Sequence, residues 1–462
     1  MKVLMLGWEY PPHIAGGLGT ACEGLTTALA RHSISIHFVV PHLFGGEAAG
    51  HMVLTDAKNT ESVPSVGGTA PRDATQMNGT TGSVTTHQIQ SFLSPYWTPV
   101  KFKEIVAQLT QQHRRSIALQ LGSKLDDLAQ ALIDGEVYGI DLTSVLIEEE
   151  WIPAPVERYG NDIFQEVERF TANVVALAAG REFDLIHAHD WMTFPAGVAL
   201  AQITRKPLVV HVHSLEYDRS GLSVNEQINQ IERFGLESAD KVIAVSYYTA
   251  RSIQKYHNIG KDKISVVHNG VYPRQAVQDY KLKKTWPRNV VLFLGRVTFQ
   301  KGPDYFVEVA SRVVPHIPDV LFVLGGSGDM LPRLIERVRE LGLEDNFLFP
   351  GFLKGEELEE MFSIADLYVM PSISEPFGIT ALEAISFETP VIVSRQSGVS
   401  EVLDNALKSD FWDLDRMADL VINILLHEEL RKEMIVNAKE EVKRLHWDAS
   451  AIKTIEVYDL VA

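Results

Sequence analysis

Two doubly wound α/β halves are the fold this sequence predicts, on three observations. Short runs rich in Val, Ile and Leu recur along the chain, longer amphipathic stretches separate them, and a polar segment bounded by prolines falls between two such series. Continuous apolar runs suit parallel strands buried on both faces. Their regular alternation with helical spacing argues for a doubly wound sheet in each half.

In the first half the strand runs are residues 2–7, 36–41, 183–187, 208–213, 242–245 and 264–268. In the second they are residues 290–295, 320–325, 347–350, 367–370 and 391–394. Helical spacing between them is seen in Tyr305, Val309 and Val313, and again in Leu420, Ile424 and Leu425. The joint is expected within 273–289, giving a first domain at 1–275 and a second at 276–446. One stretch breaks the rhythm: residues 56–86 are rich in Gly, Ser, Thr and Asn, and 101–133 has the pattern of one or two amphipathic helices. Residues 56–150 therefore read as an insertion into the first domain. A last helix is expected at 449–460, within a terminal segment 447–462.

Composition narrows the function. The chain has 462 residues, enough for two or three domains. Its formal charge is −18, which repels phosphate backbones and disfavours nucleic acid as a partner. A single cysteine, Cys22, excludes an intramolecular disulfide framework and any Cys-rich metal site. No apolar run approaches the ~20 residues needed to span a bilayer. The N-terminal apolar run breaks at Gly7, ahead of Glu9 and two prolines, which is not a signal-peptide pattern, so a cytoplasmic location is expected.

Four features carry chemistry. Gly16-Gly17-Leu18-Gly19 stands between the first strand and a helical stretch at 20–31, where backbone amides can approach an anion. It is not G-x-G-x-x-G, so a dinucleotide fingerprint is missing and an oxidoreductase is disfavoured. Arg296 and Lys301 lie on the loop after the 290–294 strand, where doubly wound sheets bind ligands; Arg offers fork geometry and Lys a point charge to a diphosphate. Glu375 and Glu383 flank Gly378-Ile379-Thr380, a helix start whose amides can face a phosphate, and carboxylates accept from sugar hydroxyls. Finally, His187, His189, His211 and His213 cluster at two strand ends. H-x-H on a strand puts both rings on one face, and structural burial is the commoner reason for it than metal ligation.

Together these motifs resemble the retaining GT-B glycosyltransferases of family four, particularly their glycogen and starch synthase-like members, over nearly the whole chain apart from 56–150. The resemblance implies two Rossmann-like domains facing a central cleft, with a C-terminal helix crossing back to the first. It implies a hexosyl transfer, most naturally glucosyl, from a UDP- or ADP-sugar co-substrate to a carbohydrate acceptor of α-glucan type, with no metal and no other cofactor. Arg296 and Lys301 match the pair that neutralises the donor diphosphate, Glu375 the carboxylate holding the donor sugar and Glu383 the one holding the ribose. Gly378, Ile379 and Thr380 match the phosphate amides, and Gly17 the glycine-rich loop closing over them. His213 matches a histidine near the reacting carbon and Asp190 an acceptor-side acid, while Gly326 and Leu353 sit where the family lines the nucleotide pocket. Bacterial ADP-glucose synthases have Lys-Thr-Gly-Gly-Leu where this chain has Ile14-Ala15-Gly16-Gly17-Leu18, which leaves UDP-glucose at least as well matched as ADP-glucose. A small-molecule or lipid acceptor, a nucleotide-sugar epimerase of the same fold, and self-association into a homo-oligomer stay open. Asp413-Leu414-Asp415 has the spacing of a metal motif but reads as a helix cap.

Overall fold

A computed structural model describes residues 1–12, 16–43, 52–56, 84–88, 163–178, 181–272 and 289–462. Two parallel sheets organise them. The first contains β1 (Lys2–Leu6), β2 (Ser35–Val40), β3 (Met52–Asp56), β4 (Val84–Gln88), β5 (Leu185–His189), β6 (Leu208–Val212), β7 (Lys241–Ala244) and β8 (Ile264–Val266). Their order is β3-β4-β2-β1-β5-β6-β7-β8. The second contains β9 (Asn289–Leu294), β10 (Val320–Gly325), β11 (Phe347–Gly351), β12 (Leu367–Met370), β13 (Val391–Ser394) and β14 (Leu407–Ser409), in the order β11-β10-β9-β12-β13-β14. Each sheet changes direction of winding once, at β1/β5 and at β9/β12. In open α/β sheets the crevice at that switch point, outside the carboxyl ends of the strands, is where ligands bind.

Helices cover both faces. In the first half they are α1 (Gly17–Arg31), α2 (Ile163–Ala178), α3 (Phe194–Thr204), α4 (Glu216–Ser220), α5 (Glu226–Ser238) and α6 (Tyr247–His257). In the second they are α7 (Pro303–Val313), α8 (Leu331–Glu340), α9 (Glu356–Ile364), α10 (Ile379–Ser386), α11 (Leu414–Leu426) and α12 (Glu428–Val442), followed by α13 (Trp447–Asp459). The two-residue period of β1 shows why both faces are apolar. Leu4 and Leu6 pack with Phe170 and Leu200 on one side, whereas Val3 and Met5 pack with Leu29 and Phe38 on the other.

α13 crosses back to the first half. Trp447, Ala451, Val457 and Tyr458 join the core formed by Val3, Ala28 and Ile243. The close approach requires Gly24 on α1, where a β-carbon would lie 2.1 Å from the Trp447 ring.

The structure adds detail to three expectations. Within the expected insertion 56–150, Val84–Gln88 is a strand that pairs in parallel with β2 and with β3. Backbone pairing needs no continuous apolar run, and Val-Thr-Thr-His-Gln offers none. The helix after the glycines starts at Gly17 rather than at residue 20, and the last helix runs over Trp447–Asp459, within the terminal segment expected at 447–462. Asp413 does cap α11, its carboxylate accepting from the Arg416 amide at 3.1 Å. The expected joint at 273–289 lies, but for Asn289, outside the described residues.

Candidate active site

The second half builds a charged site at its switch point. β9 ends at Leu294, and the loop that follows carries exposed Arg296, then a single tight turn over Phe299–Lys301. β12 ends at Met370, and its loop carries Glu375. Lys301 Nζ meets Glu375 Oε2 at 2.5 Å, and Ser372 Oγ donates to the same oxygen at 3.2 Å. Glu375 is only 6% exposed, and its amide donates to the Gln396 carbonyl, so its carboxylate is anchored from the backbone outward. Arg296 donates to Gln300 Oε1 at 3.3 Å, while the Gln300 carbonyl accepts from the Ile373 amide and stitches the two loops together.

Glycine at 326 is required by this arrangement. Its φ is +141°, and a β-carbon there would lie 1.8 Å from the Gly295 carbonyl oxygen. Leu353 packs against the core that contains Leu294, its Cδ1 3.3 Å from where a β-carbon on Gly325 would lie. Gly378 precedes α10, whose first amides have no acceptor within the helix. Thr380 Oγ1 lies 2.8 Å from the hydroxyl of Tyr368, a buried residue of β12. Burial raises the Tyr368 phenol, its hydrogen bond with Thr380 lowers it, and the charges of Glu375 and Glu383 raise it further. Tyr368 was not singled out in the sequence because a tyrosine inside Leu-Tyr-Val-Met reads as core.

On the facing half, Gly17 opens α1 and a β-carbon there would meet open space. The Gly19 amide in that first turn donates to Glu9 Oε1 at 3.1 Å. His213 and Asp190 are brought together: Asp190 Oδ1 accepts from the His213 amide at 2.6 Å and from the Ser214 amide at 3.3 Å. Burial pushes the Asp190 carboxyl up to about 7, against the pull of Arg219 and of those two amides. The structure thus gives Asp190 a local task, fixing the loop that carries His213.

The four histidines form a column. His187 stacks on His189 at 4.3 Å and His211 on His213 at 4.3 Å, as H-x-H on neighbouring strands dictates. His189 Nδ1 lies 2.9 Å from His213 Nε2, and His187 Nδ1 lies 2.7 Å from the Tyr458 hydroxyl on α13. Burial lowers His187 and His213 to about 3 and holds His189 and His211 well below the ordinary value, so the column is neutral. Two overlapping triads, Cys22 with His189 and His213, and His187 with His189 and His211, each bring three potential ligand atoms within 4.8 Å. The rings of the second triad lie 11°, 22° and 30° from parallel, and an imidazole lone pair lies in its own ring plane. Stacked rings therefore aim their nitrogens side by side, an arrangement suited to packing more than to shared coordination.

Contacts across the cleft bring the halves together at these loops. Ser374 Oγ donates to Asp218 Oδ1 at 2.6 Å, and Ser246 Oγ donates to the Pro376 carbonyl at 2.6 Å. Glu401 accepts from the Tyr247 and Tyr248 amides at the start of α6, and its Oε1 lies 2.9 Å from His268 Nε2.

Residues 276–441 match the family described as glycosyl transferases group 1, residues 144–275 match glycosyltransferase family 4, and residues 2–96 match the starch synthase catalytic domain. With its paired parallel sheets and crossover helix, the chain is a glycosyltransferase of the GT-B fold, an enzyme that moves a hexosyl unit. Its whole length is 26% identical to 98% of an uncharacterized glycosyltransferase of Methanocaldococcus jannaschii. It is 25% identical to the glycogen synthase of Mycobacterium tuberculosis, over 88% of this chain and 80% of that one. The fold is shared with the sucrose-phosphate synthase of Thermosynechococcus elongatus, at a TM-score of 0.68 and 20% identity, covering 99% of this chain and 98% of that one. Among the described residues no helix is long and apolar enough to cross a membrane.

Proposed function

We propose that this chain is a retaining glucosyltransferase that carries a glucosyl unit from UDP-glucose or ADP-glucose to an α-glucan. The observation that carries the reading is the juxtaposition of Arg296, Lys301 and Glu375 on adjacent strand ends at a switch point. Breaking the bond between the sugar C1 and the diphosphate oxygen leaves negative charge on the leaving group. Arg296, Lys301 and the N-terminus of α10 answer that charge, and such preorganised stabilisation is commonly the largest catalytic contribution. The buried Glu375 carboxylate is suited to accept from donor sugar hydroxyls, and Glu383, about one turn along α10, from the ribose. On the acceptor side, same-face attack forms the new C1–oxygen bond as the acceptor hydroxyl gives its proton to the leaving phosphate, with His213 beside the reacting carbon. Cationic side chains supply what a divalent ion would otherwise provide, so the reading requires no metal. The glucan acceptor is supported by the glycogen synthase relative and by the starch synthase match at residues 2–96.

A nucleotide-release assay with UDP-glucose and ADP-glucose, each with and without glycogen, tests the proposal. Glycogen-dependent release of UDP or ADP that survives exhaustive chelation is expected. Release that ignores glycogen, or activity lost in EDTA and restored by Mg²⁺, contradicts the acceptor or the metal-free diphosphate site respectively.

A further inference from the structure

Glu375 is held at both flanks, through its chain neighbours, from the other side of the cleft. Before it, the Ser374 hydroxyl donates to Asp218 Oδ1 at 2.6 Å. Ser374 has one proton and gives it to the carboxylate, so the Tyr248 hydroxyl, 2.9 Å away, donates to Ser374. After it, the Pro376 carbonyl accepts from Ser246 Oγ at 2.6 Å and from Thr249 Oγ1 at 3.2 Å. All four partners belong to the first half. Asp218 is buried, and its second oxygen, Oδ2, accepts from the Leu215 amide at 2.8 Å. Leu215 ends the short loop that starts at His213, the same loop Asp190 holds at its His213 and Ser214 amides. One carboxylate therefore binds the His213 loop with one oxygen and the Glu375 loop with the other.

We propose that Asp218 and Ser374 are positioning residues, an interdomain clasp that sets the Glu375 loop against the His213 loop when the cleft is shut. The clasp rests on the donor-site reading above for its catalytic meaning. Opening the cleft exchanges Ser374 for water at Asp218 and releases both flanks of Glu375 together. Because water can replace each partner, the net preference for the closed state is small, as suits a contact that must break each time the cleft opens. The shut state brings the donor-sugar carboxylate and the acceptor-side histidine to a common register, and misplacement by a fraction of a bond length at such a site slows turnover strongly.

Ser374→Ala, Ser374→Thr and the unaltered enzyme test the clasp, with turnover, nucleotide affinity by calorimetry and the radius of gyration from solution scattering as readouts. Ser374→Ala is expected to lower kcat about tenfold or more, to leave nucleotide Kd within about twofold, and to raise the radius of gyration. Ser374→Thr keeps the hydroxyl and restores kcat and dimensions. Unchanged kcat and dimensions in Ser374→Ala, or a loss that Ser374→Thr does not rescue, overturns the clasp. Should the unaltered enzyme bind neither UDP nor ADP, the donor-site reading fails, and the scattering comparison alone still decides whether Ser374 holds the halves together.

Discussion

At Gly326 a single added carbon tests how tightly the donor loop is built. Alanine there meets the Gly295 carbonyl and must adopt a φ near +141°, a strain of about 2 kcal/mol before any loop movement. Gly326→Ala is expected to weaken UDP or ADP binding more than tenfold while circular dichroism stays unchanged; calorimetry reads the result. The histidine column makes a separate prediction. His187 stays neutral in the fold down to about pH 3, whereas an unfolded imidazole protonates near 6.5. The unfolded chain therefore binds more protons between those values, and stability falls as pH falls through that window. A single imidazole held neutral costs about 2 kcal/mol at pH 5. Asp190 has the opposite sign: its raised carboxyl makes stability fall as pH rises from about 4 to about 7. His211 isolates the histidine contribution, since both its ring nitrogens are buried without a hydrogen-bond partner among the described residues. His211→Phe is expected to keep or raise the melting temperature at pH 7 and to flatten its decline toward pH 5. An unchanged pH slope in thermal unfolding would remove the column from the acid response.

At the scale of elements, the crossover helix α13 is docked by shape more than by charge. Gly24→Val drives a side chain into Trp447 and is expected to lower stability by about 2 kcal/mol in urea unfolding. Arg31→Ala removes the exposed pair with Asp448 and the guanidinium's place over the Tyr272 ring, and is expected to cost about 1 kcal/mol. Equal losses in the two variants would contradict a packing account. The same contrast explains which elements were legible in the sequence. Strands such as Leu208–Val212 and Val391–Ser394 are buried on both faces and must be apolar throughout, so they announce themselves. Strands β3, β4 and β14 were not read: Leu407-Lys408-Ser409 is a three-residue edge strand, held by backbone pairing that leaves little side-chain pattern. Among the site residues, Arg296, Lys301 and Glu375 stood out because strand ends and loop glycines mark their places. Asp218, Ser374 and Tyr248 did not, being 156 and 126 positions apart and joined only by the meeting of two domains.

Over the whole molecule, two switch points face one another, with cations and carboxylates from the second half opposite a loop held by Asp190 and Asp218 in the first. In the proposed function the charged cluster after β9 and β12 holds the donor diphosphate and sugar. Steady-state transfer from UDP-glucose and ADP-glucose to glycogen by Arg296→Ala and Glu375→Ala, compared with the unaltered enzyme, tests it most directly. Losing one such contact is expected to slow transfer by ~100-fold or more in each variant, with circular dichroism and melting temperature preserved. Near-normal turnover in both folded variants would contradict the claim and move the donor site elsewhere in the cleft.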